Sequence, residues 1–366
     1  MKRTPTIDKF FLGITLVLLL VGVAMFVSAT LGELPKSEKT FYGILMSQFM
    51  GLGFGLVGMY FTYRIDYKFW RKNAFWILLG SVLLTAAVFI PGLAPARGGA
   101  QRWIDLGPVS FQPAEILKFG FIIYFAAWLS WAKQRAQDFK FSILPFVVLL
   151  AIIAFVLLKQ PDTKNFILIS FTGICMLFVS GVRLKYILGI GALATIMLGT
   201  LVFFTPYLQK RVQTFLNPAQ DARGASYQVQ QSMIAIGSGG MFGRGYGQSI
   251  QKFSYLPEPQ GDSIFAVVGE EFGFVGSLIV VMLYVVFILK GLNISNRAPD
   301  HFSRLLVFGI VILIGAQSFL HIASVIGVFP LTGVPLVFMS HGGTSLMIYL
   351  LAIGAVLQIS KFQIKN

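Results

Sequence analysis

Read for its apolar and polar positions, the chain divides into ten long apolar runs separated by polar breaks, one of them very long. The runs cover about 9–30, 42–63, 73–92, 112–131, 141–158, 165–181, 186–205, 263–289, 303–326 and 340–360. Each approaches the roughly 20 mostly apolar residues that a helix needs to cross a bilayer. The expected fold is an all-α polytopic membrane protein with about ten transmembrane helices. The long break, 206–262, falls between the seventh and eighth runs. Connections of that length are mostly functional or disordered. This one is dense in glycine, yet it also holds Tyr227, Ile234, Ile236, Phe242, Tyr246, Phe253, Tyr255 and Leu256, which can pack. The expectation is an ordered extracytoplasmic loop bearing a site. No internal repeat or low-complexity linker divides the chain, so residues 1–366 read as one integral membrane domain.

Composition agrees with this pattern. The chain is 56% hydrophobic and 12% charged, with mean hydropathy +0.78, whereas soluble domains carry about 25% charged residues. A net charge of +15 would suit a nucleic-acid binder, but the placement of the charges excludes that partner. Seventeen of the 29 Lys and Arg lie in the segment up to Lys9, at 64–72, 132–140, 181–185 and 290–304, and in the tail from Lys361. Positive charge on alternate connections holds those connections in the cytoplasm and meets anionic headgroups. Both termini are therefore expected inside and the long break outside. Cys175, the only cysteine, lies in an apolar run and reads as a small core residue. The first run is long enough to span and shows no convincing processing site, so it reads as a retained helix.

Only fourteen Asp and Glu occur, so acid–base candidates can be weighed singly. Asp8, Asp66, Asp138 and Asp300 sit among inner basic residues and read as solvated loop charges. Glu33 and Glu38, beside Lys36 and Lys39 in a short outer loop, read the same way, as does Asp221 in its polar turn. Glu115 and Lys118 are spaced i,i+3 and share a helix face. Charges at membrane depth must be paired or hydrated, so these two are a structural ion pair or the rim of a polar cavity. Glu270 and Glu271 enter the eighth run with no Lys or Arg nearby in sequence, and either bond loop backbone or line a cavity. Asp262 stands where Pro257, Pro259 and Gly261 set the approach to the eighth run. Two roles fit it. One is the N-cap of that helix. The other is a carboxylate held at the lipid interface near Glu258 and Lys252, where a general base for a lipid-linked substrate has to stand.

The glycine-rich stretch 237–247 lacks the Gly-Lys-Ser/Thr ending of a nucleotide-binding loop. Its glycines permit tight turns and close backbone approach, and such turns can present N–H groups to an anion. Arg102, Lys210, Arg211, Arg223, Arg244 and Lys252 fall on the outer side, against the charge trend. They are candidates to meet a diphosphate or lipid headgroups. His301, His321 and His341 show no metal-ligand spacing, and His341 is a candidate polar contact in an outer cavity.

Seven motifs in order carry a resemblance. They are Gln-Arg-Trp-Ile (101–104), Gln-Pro-Ala-Glu-Ile-Leu-Lys (112–118), Gln-Pro-Asp (160–162), Ala-Ile-Gly-Ser-Gly-Gly (235–240), Tyr-Leu-Pro-Glu-Pro-Gln-Gly-Asp (255–262), Gly-Glu-Glu-Phe-Gly (269–273) and Pro-Leu-Thr-Gly-Val-Pro (330–335). Together they resemble the SEDS family of shape, elongation, division and sporulation proteins, and the wording of 248–258 is closer to its division branch than to its elongation branch. The resemblance implies a peptidoglycan glycosyltransferase of the bacterial cytoplasmic membrane. Such an enzyme polymerises lipid II on the outer face, releases undecaprenyl diphosphate, and works with a class B penicillin-binding protein and other division or elongation proteins. It places the family's essential loop aspartate on Asp262, its Arg-Trp pair on Arg102 and Trp103, and its fourth-helix charge pair on Glu115 and Lys118. Arg244, Lys252, Glu258 and His341 complete the expected substrate contacts, and a divalent cation, Mg2+ or Mn2+, is a candidate cofactor. Two departures stand out. The family often reads Pro-Asp-x-Gly where this chain has Pro161-Asp162-Thr163-Lys164, and often Ser-x-Gly-Gly-Ser-Ser where this chain has Ser-His-Gly-Gly-Thr-Ser (340–345). A lipid II flippase on the same helices is the rival reading. It needs access from both faces, whereas the unusual polar residues crowd the outer one.

Overall fold

A computed structural model describes residues 6–94, 101–105, 110–216 and 225–364. All ten apolar runs form helices. They are α1 (Lys9–Thr30), α2 (Glu38–Arg64), α4 (Ala74–Ala86), α5 (Pro113–Trp131), α6 (Phe139–Lys159), α7 (Thr163–Val179), α8 (Leu184–Phe204), α12 (Ile264–Asn296), α13 (His301–Val325) and α14 (Gly343–Ser360). A short α3 (Tyr67–Lys72) joins α2 to α4. The polar island holds α9 (Pro206–Leu216), α10 (Ala225–Ser238) and the single turn α11 (Gln251–Ser254). A two-residue ribbon, β1 (Ile104–Asp105) with β2 (Ser110–Phe111), precedes α5, pairing Ile104 with Phe111. Among the described residues eight helices are long and apolar enough to cross a membrane; the apolar segments Ala74–Phe89 and Thr163–Val179 are shorter.

The acids expected on the inner side also cap helices. Asp8 accepts a hydrogen bond from the Phe11 amide at 3.0 Å and so caps α1. Asp66 caps α3 from the Lys68 amide, Asp138 caps α6 from that of Lys140, and Asp300 closes a reciprocal box with Ser303 at the start of α13. Asp66 and Asp138 are exposed, as a solvated loop charge would be, while Asp8 and Asp300 are half-buried; what the sequence reading lacked is that all four cap helices. A helix N-terminus leaves amides without partners, and a short carboxylate satisfies them. α12 runs past the expected end at 289 to Asn296, and Lys290 in that extension pairs with Asp8 at 2.9 Å.

α5, α13 and α14 are the most enclosed helices, while α8 lies almost wholly exposed at the rim. α2 runs against α14 so closely that a Cβ on Gly51 would fall on the Gly343 carbonyl. Small residues allow this approach where the lipid supplies no hydrophobic drive between helices. The packing brings the start of α14, and the loop before it, against the N-terminal ends of α5 and α12 and the C-terminal end of α13.

Candidate active site

The site is best built from a break in α12. At Gly273 the backbone turns to φ 66° and ψ −161°, conformations that only glycine adopts freely. The break frees carbonyls that a continuous helix would use, and the glycine-rich stretch supplies their donors. The Arg244 amide donates to the Glu270 carbonyl at 3.0 Å, and the Gly245 amide to that of Glu271 at 2.9 Å. In return Phe274 and Val275 donate to the carbonyls of Gly240 and Met241. The N–H groups of Gly243, Arg244 and Gly245 are therefore occupied internally, and the stretch is a structural insert, not an anion cradle.

The two glutamates complete this joint. Glu270 accepts from Ser249 Oγ at 2.5 Å and from the amides of Ile250 and Gln251, covering the start of α11. Arg244 Nε lies 3.5 Å from it. Glu271 is fully buried and pairs with Lys252 at 2.7 Å, with Ser28 of α1 donating to it at 2.6 Å. Lys252 also donates to Ser28 Oγ and to the Gly247 carbonyl, both at 2.9 Å. The placement of Lys252 among the cations that meet a diphosphate is corrected: its side chain is 0% exposed, enclosed by the acid that neutralises it. Arg244 is likewise tied to Glu270, though its side chain remains partly exposed.

A second internal network lies deeper. Glu115 and Lys118 pair at 3.0 Å. Lys118 donates to Tyr349 Oη and Gln317 Oε1, and Ser345 Oγ donates to Glu115 at 2.9 Å. The residues are 3% and 1% exposed, so of the two readings the structure realises the ion pair. A cavity of about 10 Å³ beside Gln317, His341, Ser345 and Tyr349 has room for one water at most. Arg102 reaches across to the α6–α7 turn, donating to the carbonyls of Gln160 and Pro161, while Gln160 donates to Thr85. Arg102 thereby fastens the segment before β1 to that turn, with Trp103 half-buried beside it. His341 stacks on Phe26 with ring centroids 6.0 Å apart, its amide donates to the Gln260 carbonyl at 2.7 Å, and burial pushes its imidazole below the ordinary histidine range.

Asp262 is the exception to all this internal pairing. It is not the N-cap of α12: Ser263 holds that position, and its hydroxyl donates to the Pro257 carbonyl. Among the described residues the Asp262 carboxylate accepts no hydrogen bond, although it is half-buried. Its surroundings come from the loop before α14. Ser340 Oγ donates to the Gly261 carbonyl at 2.8 Å, and a Cβ on Gly333 would lie 3.1 Å from Asp262 Oδ2 and 3.9 Å from Arg211 Nη2. Arg211 of α9 donates to the Leu331 carbonyl at 2.6 Å, and Lys164 of α7 donates to that of Gly333. His321 donates from Nδ1 to the Val334 carbonyl at 2.8 Å, because a carbonyl can only accept, and it lies within the field of Asp262. Glu258 shares the turn. Burial first, then the charges of Asp262 and Glu33, push its carboxyl above the usual range. The structure thus gathers Asp262, Glu258, Arg211 and Lys164 at one place and holds Glu115, Lys118 and Lys252 inside. Arg223 and Asp221 lie outside the described residues. Sequence reasoning missed Lys164 and Gly333, and the one available signal was the departure from the Pro-Asp-x-Gly pattern.

This arrangement has relatives. Residues 9–365 match the profile of the FtsW/RodA/SpoVE family, described as cell cycle proteins. A probable peptidoglycan glycosyltransferase FtsW from Geobacter sulfurreducens is 37% identical over 361 residues, covering 98% of this chain and 96% of that one. The stage V sporulation protein E of Bacillus subtilis is 34% identical over 361 residues, covering 99% and 98%. Among solved structures, a chain from a peptidoglycan synthase complex that coordinates polymerization and crosslinking superposes with TM-score 0.80 at 24% identity, over 98% of this chain and 99% of that one. The rod shape determining protein RodA of Thermus thermophilus does so with TM-score 0.72 at 23% identity, over 98% of each chain. Full-length similarity in sequence, together with the shared fold, makes this multi-pass membrane protein a member of the FtsW/RodA/SpoVE, or SEDS, family of cell cycle proteins.

Proposed function

We propose that the chain is a peptidoglycan glycosyltransferase that polymerises lipid II on the outer face of the bacterial cytoplasmic membrane, with both termini inside. The observation that carries this reading is the state of Asp262: a half-buried carboxylate with no hydrogen-bond donor among the described residues, beside the gap that Gly333 leaves next to Arg211. A general base needs a free lone pair within reach of the proton it takes, and a leaving diphosphate needs cations where its charge develops. In the step proposed, Asp262 takes the proton of the acceptor 4-hydroxyl. That oxygen bonds to the donor anomeric carbon from the face opposite the diphosphate, and the bond from that carbon to the diphosphate oxygen breaks. The products are a glycan longer by one disaccharide, undecaprenyl diphosphate, and protonated Asp262, which returns its proton to water.

A divalent cation fits the same place. Asp262 and Glu258 are close enough that their charges oppose each other, and a cation between them would relieve that. Among the described residues no group of three or more His, Cys, Asp and Glu builds a cage from protein alone. This suits Mg2+, which keeps waters and binds through one or two carboxylates and substrate phosphates. Bound there, it would neutralise charge on the diphosphate. The partner proposed is a class B penicillin-binding protein, which would cross-link the emerging strand; the solved complex whose chain shares this fold supports such an assembly.

The test is polymerisation of fluorescent lipid II by the purified protein with its cognate penicillin-binding protein, read on gels. Asp262→Asn keeps the shape and removes the base, so the rate is expected to fall by about 10²–10⁴-fold while the protein stays folded. Near wild-type polymer from that variant would overturn the assignment. Transfer of lipid II across liposomes without polymer would favour the flippase instead.

A further inference from the structure

Among the described residues no donor holds the Asp262 carboxylate, so its place is set by the backbone that carries it. The residue before it is Gly261. The peptide unit joining the two is planar, so the direction of the Gly261 carbonyl fixes where the nitrogen and Cα of Asp262 stand. A glycine at that point leaves the peptide free to turn over. One side chain holds it: Ser340 Oγ donates to the Gly261 carbonyl at 2.8 Å. The same oxygen accepts from the Leu336 amide at 2.8 Å, and a hydroxyl has a single proton to give, so both capacities of Ser340 are committed. The next residue repeats the tie, the His341 amide donating to the Gln260 carbonyl at 2.7 Å. Two consecutive residues of the loop before α14 thus grip the two consecutive residues that precede Asp262.

The gripping loop is itself held from α2. Gln48, 3% exposed, donates to the Ser340 carbonyl at 3.3 Å and accepts from the Gly342 amide at 3.0 Å. Phe338, two residues before Ser340, keeps φ at 72°, a conformation that a bulky residue holds only where its surroundings impose it. After Asp262 the chain is fastened again, because Ser263 Oγ donates to the Pro257 carbonyl and accepts from Gln228.

We propose that Ser340 is a positioning residue for Asp262: its hydroxyl fixes the Gly261–Asp262 peptide and so aims the carboxylate at the acceptor hydroxyl. The proposal rests on the reading of Asp262 as the general base.

The test compares Ser340→Ala, alone and combined with Gly261→Ala, in the full-length protein with its cognate penicillin-binding protein. A Cβ on Gly261 would meet nothing closer than 3.7 Å, and alanine there narrows the backbone freedom that the lost hydroxyl had restrained. In polymerisation of fluorescent lipid II, Ser340→Ala should lower kcat about 10–100-fold, as a misplaced base implies, with KM within about threefold of wild type. Adding Gly261→Ala should raise kcat again by about two- to fivefold, the size of the entropy effect of that substitution. Hydrogen exchange of the protein in nanodiscs gives a readout independent of turnover. The Gly261 and Ser263 amides both donate to the Glu258 carbonyl; in Ser340→Ala they should exchange faster, and in the double variant they should slow again. Exchange accelerated throughout the bundle, or not at all, would overturn the proposal, the first making Ser340 a general support of the fold and the second leaving the peptide fixed without it. A loss carried by KM would overturn it too, placing Ser340 on the substrate itself. So would a kcat within about threefold of wild type in Ser340→Ala while Asp262→Asn is inactive, a result that keeps the base and removes its positioner. Local exchange that follows Ser340 in a protein whose Asp262→Asn variant polymerises normally would leave the tie standing and remove the base reading instead.

Discussion

At the scale of single residues, the site depends on one absent side chain. Gly333 occupies a left-handed backbone conformation, and a methyl group there would press on the Asp262 carboxylate at 3.1 Å. Gly333→Ala should therefore fold with a strain of about 1–3 kcal/mol yet lose at least about tenfold in polymerisation, as a displaced base implies. Comparing its melting curve with its rate checks both halves. His341 offers a pH test. Burial lowers its imidazole pKa, so the folded state holds it neutral while the unfolded chain titrates near the ordinary value of about 6.5. Stability from this group is complete above that value and is lost as pH falls through the folded pKa. The melting temperature should fall between about pH 7.5 and 5.5, and His341→Phe should flatten part of that slope. Asp262 was legible as a candidate because Pro257, Pro259 and Gly261 mark its approach. Lys164 was not, because its partner Gly333 lies 169 residues away.

At the scale of elements, the joint between α12 and the glycine stretch explains motifs that looked like ligand sites. Gly273 breaks the helix, the amides of Arg244 and Gly245 fill the break, and Glu270 and Glu271 lock it to α11 and α1. Removing one member of a buried pair leaves an uncompensated charge, which costs about 3–5 kcal/mol, whereas replacing both by apolar groups can be neutral. Lys252→Met and Glu271→Leu should each lower stability on that scale, and the double variant should recover most of it, measured by thermal unfolding in detergent. A double variant as unstable as the singles would show that the enclosed lysine does more than neutralise Glu271. In sequence, Glu271 had no visible cation, because Lys252 precedes it by 19 residues and meets it only when the loop folds back.

At the scale of the whole molecule, sidedness is the property to test. Phe242, 81% exposed in the glycine stretch, is expected outside, and Lys68 in α3 inside. In a Cys175→Ser background, Phe242→Cys should react with a membrane-impermeant maleimide in spheroplasts, and Lys68→Cys only after permeabilisation. The reverse pattern would invert the topology and place Asp262 where no lipid-linked polymer forms.

What the amino-acid order determined by itself is the helix count, the approximate span boundaries and the expected orientation, since each follows from local apolar length and from the positions of Lys and Arg along the chain. It also marked Asp262 and the Glu115–Lys118 pair, whose signals are adjacent residues and one helical turn. Only the tertiary structure decided which charges are internal and which face the site. Lys252 is drawn inside by Glu271, the capping role expected of Asp262 falls on no side chain at all, and Lys164 is carried to Gly333. A charge's role depends on its neighbours in space, and in a helical bundle those neighbours come from other helices whose distance in sequence carries no trace of their proximity.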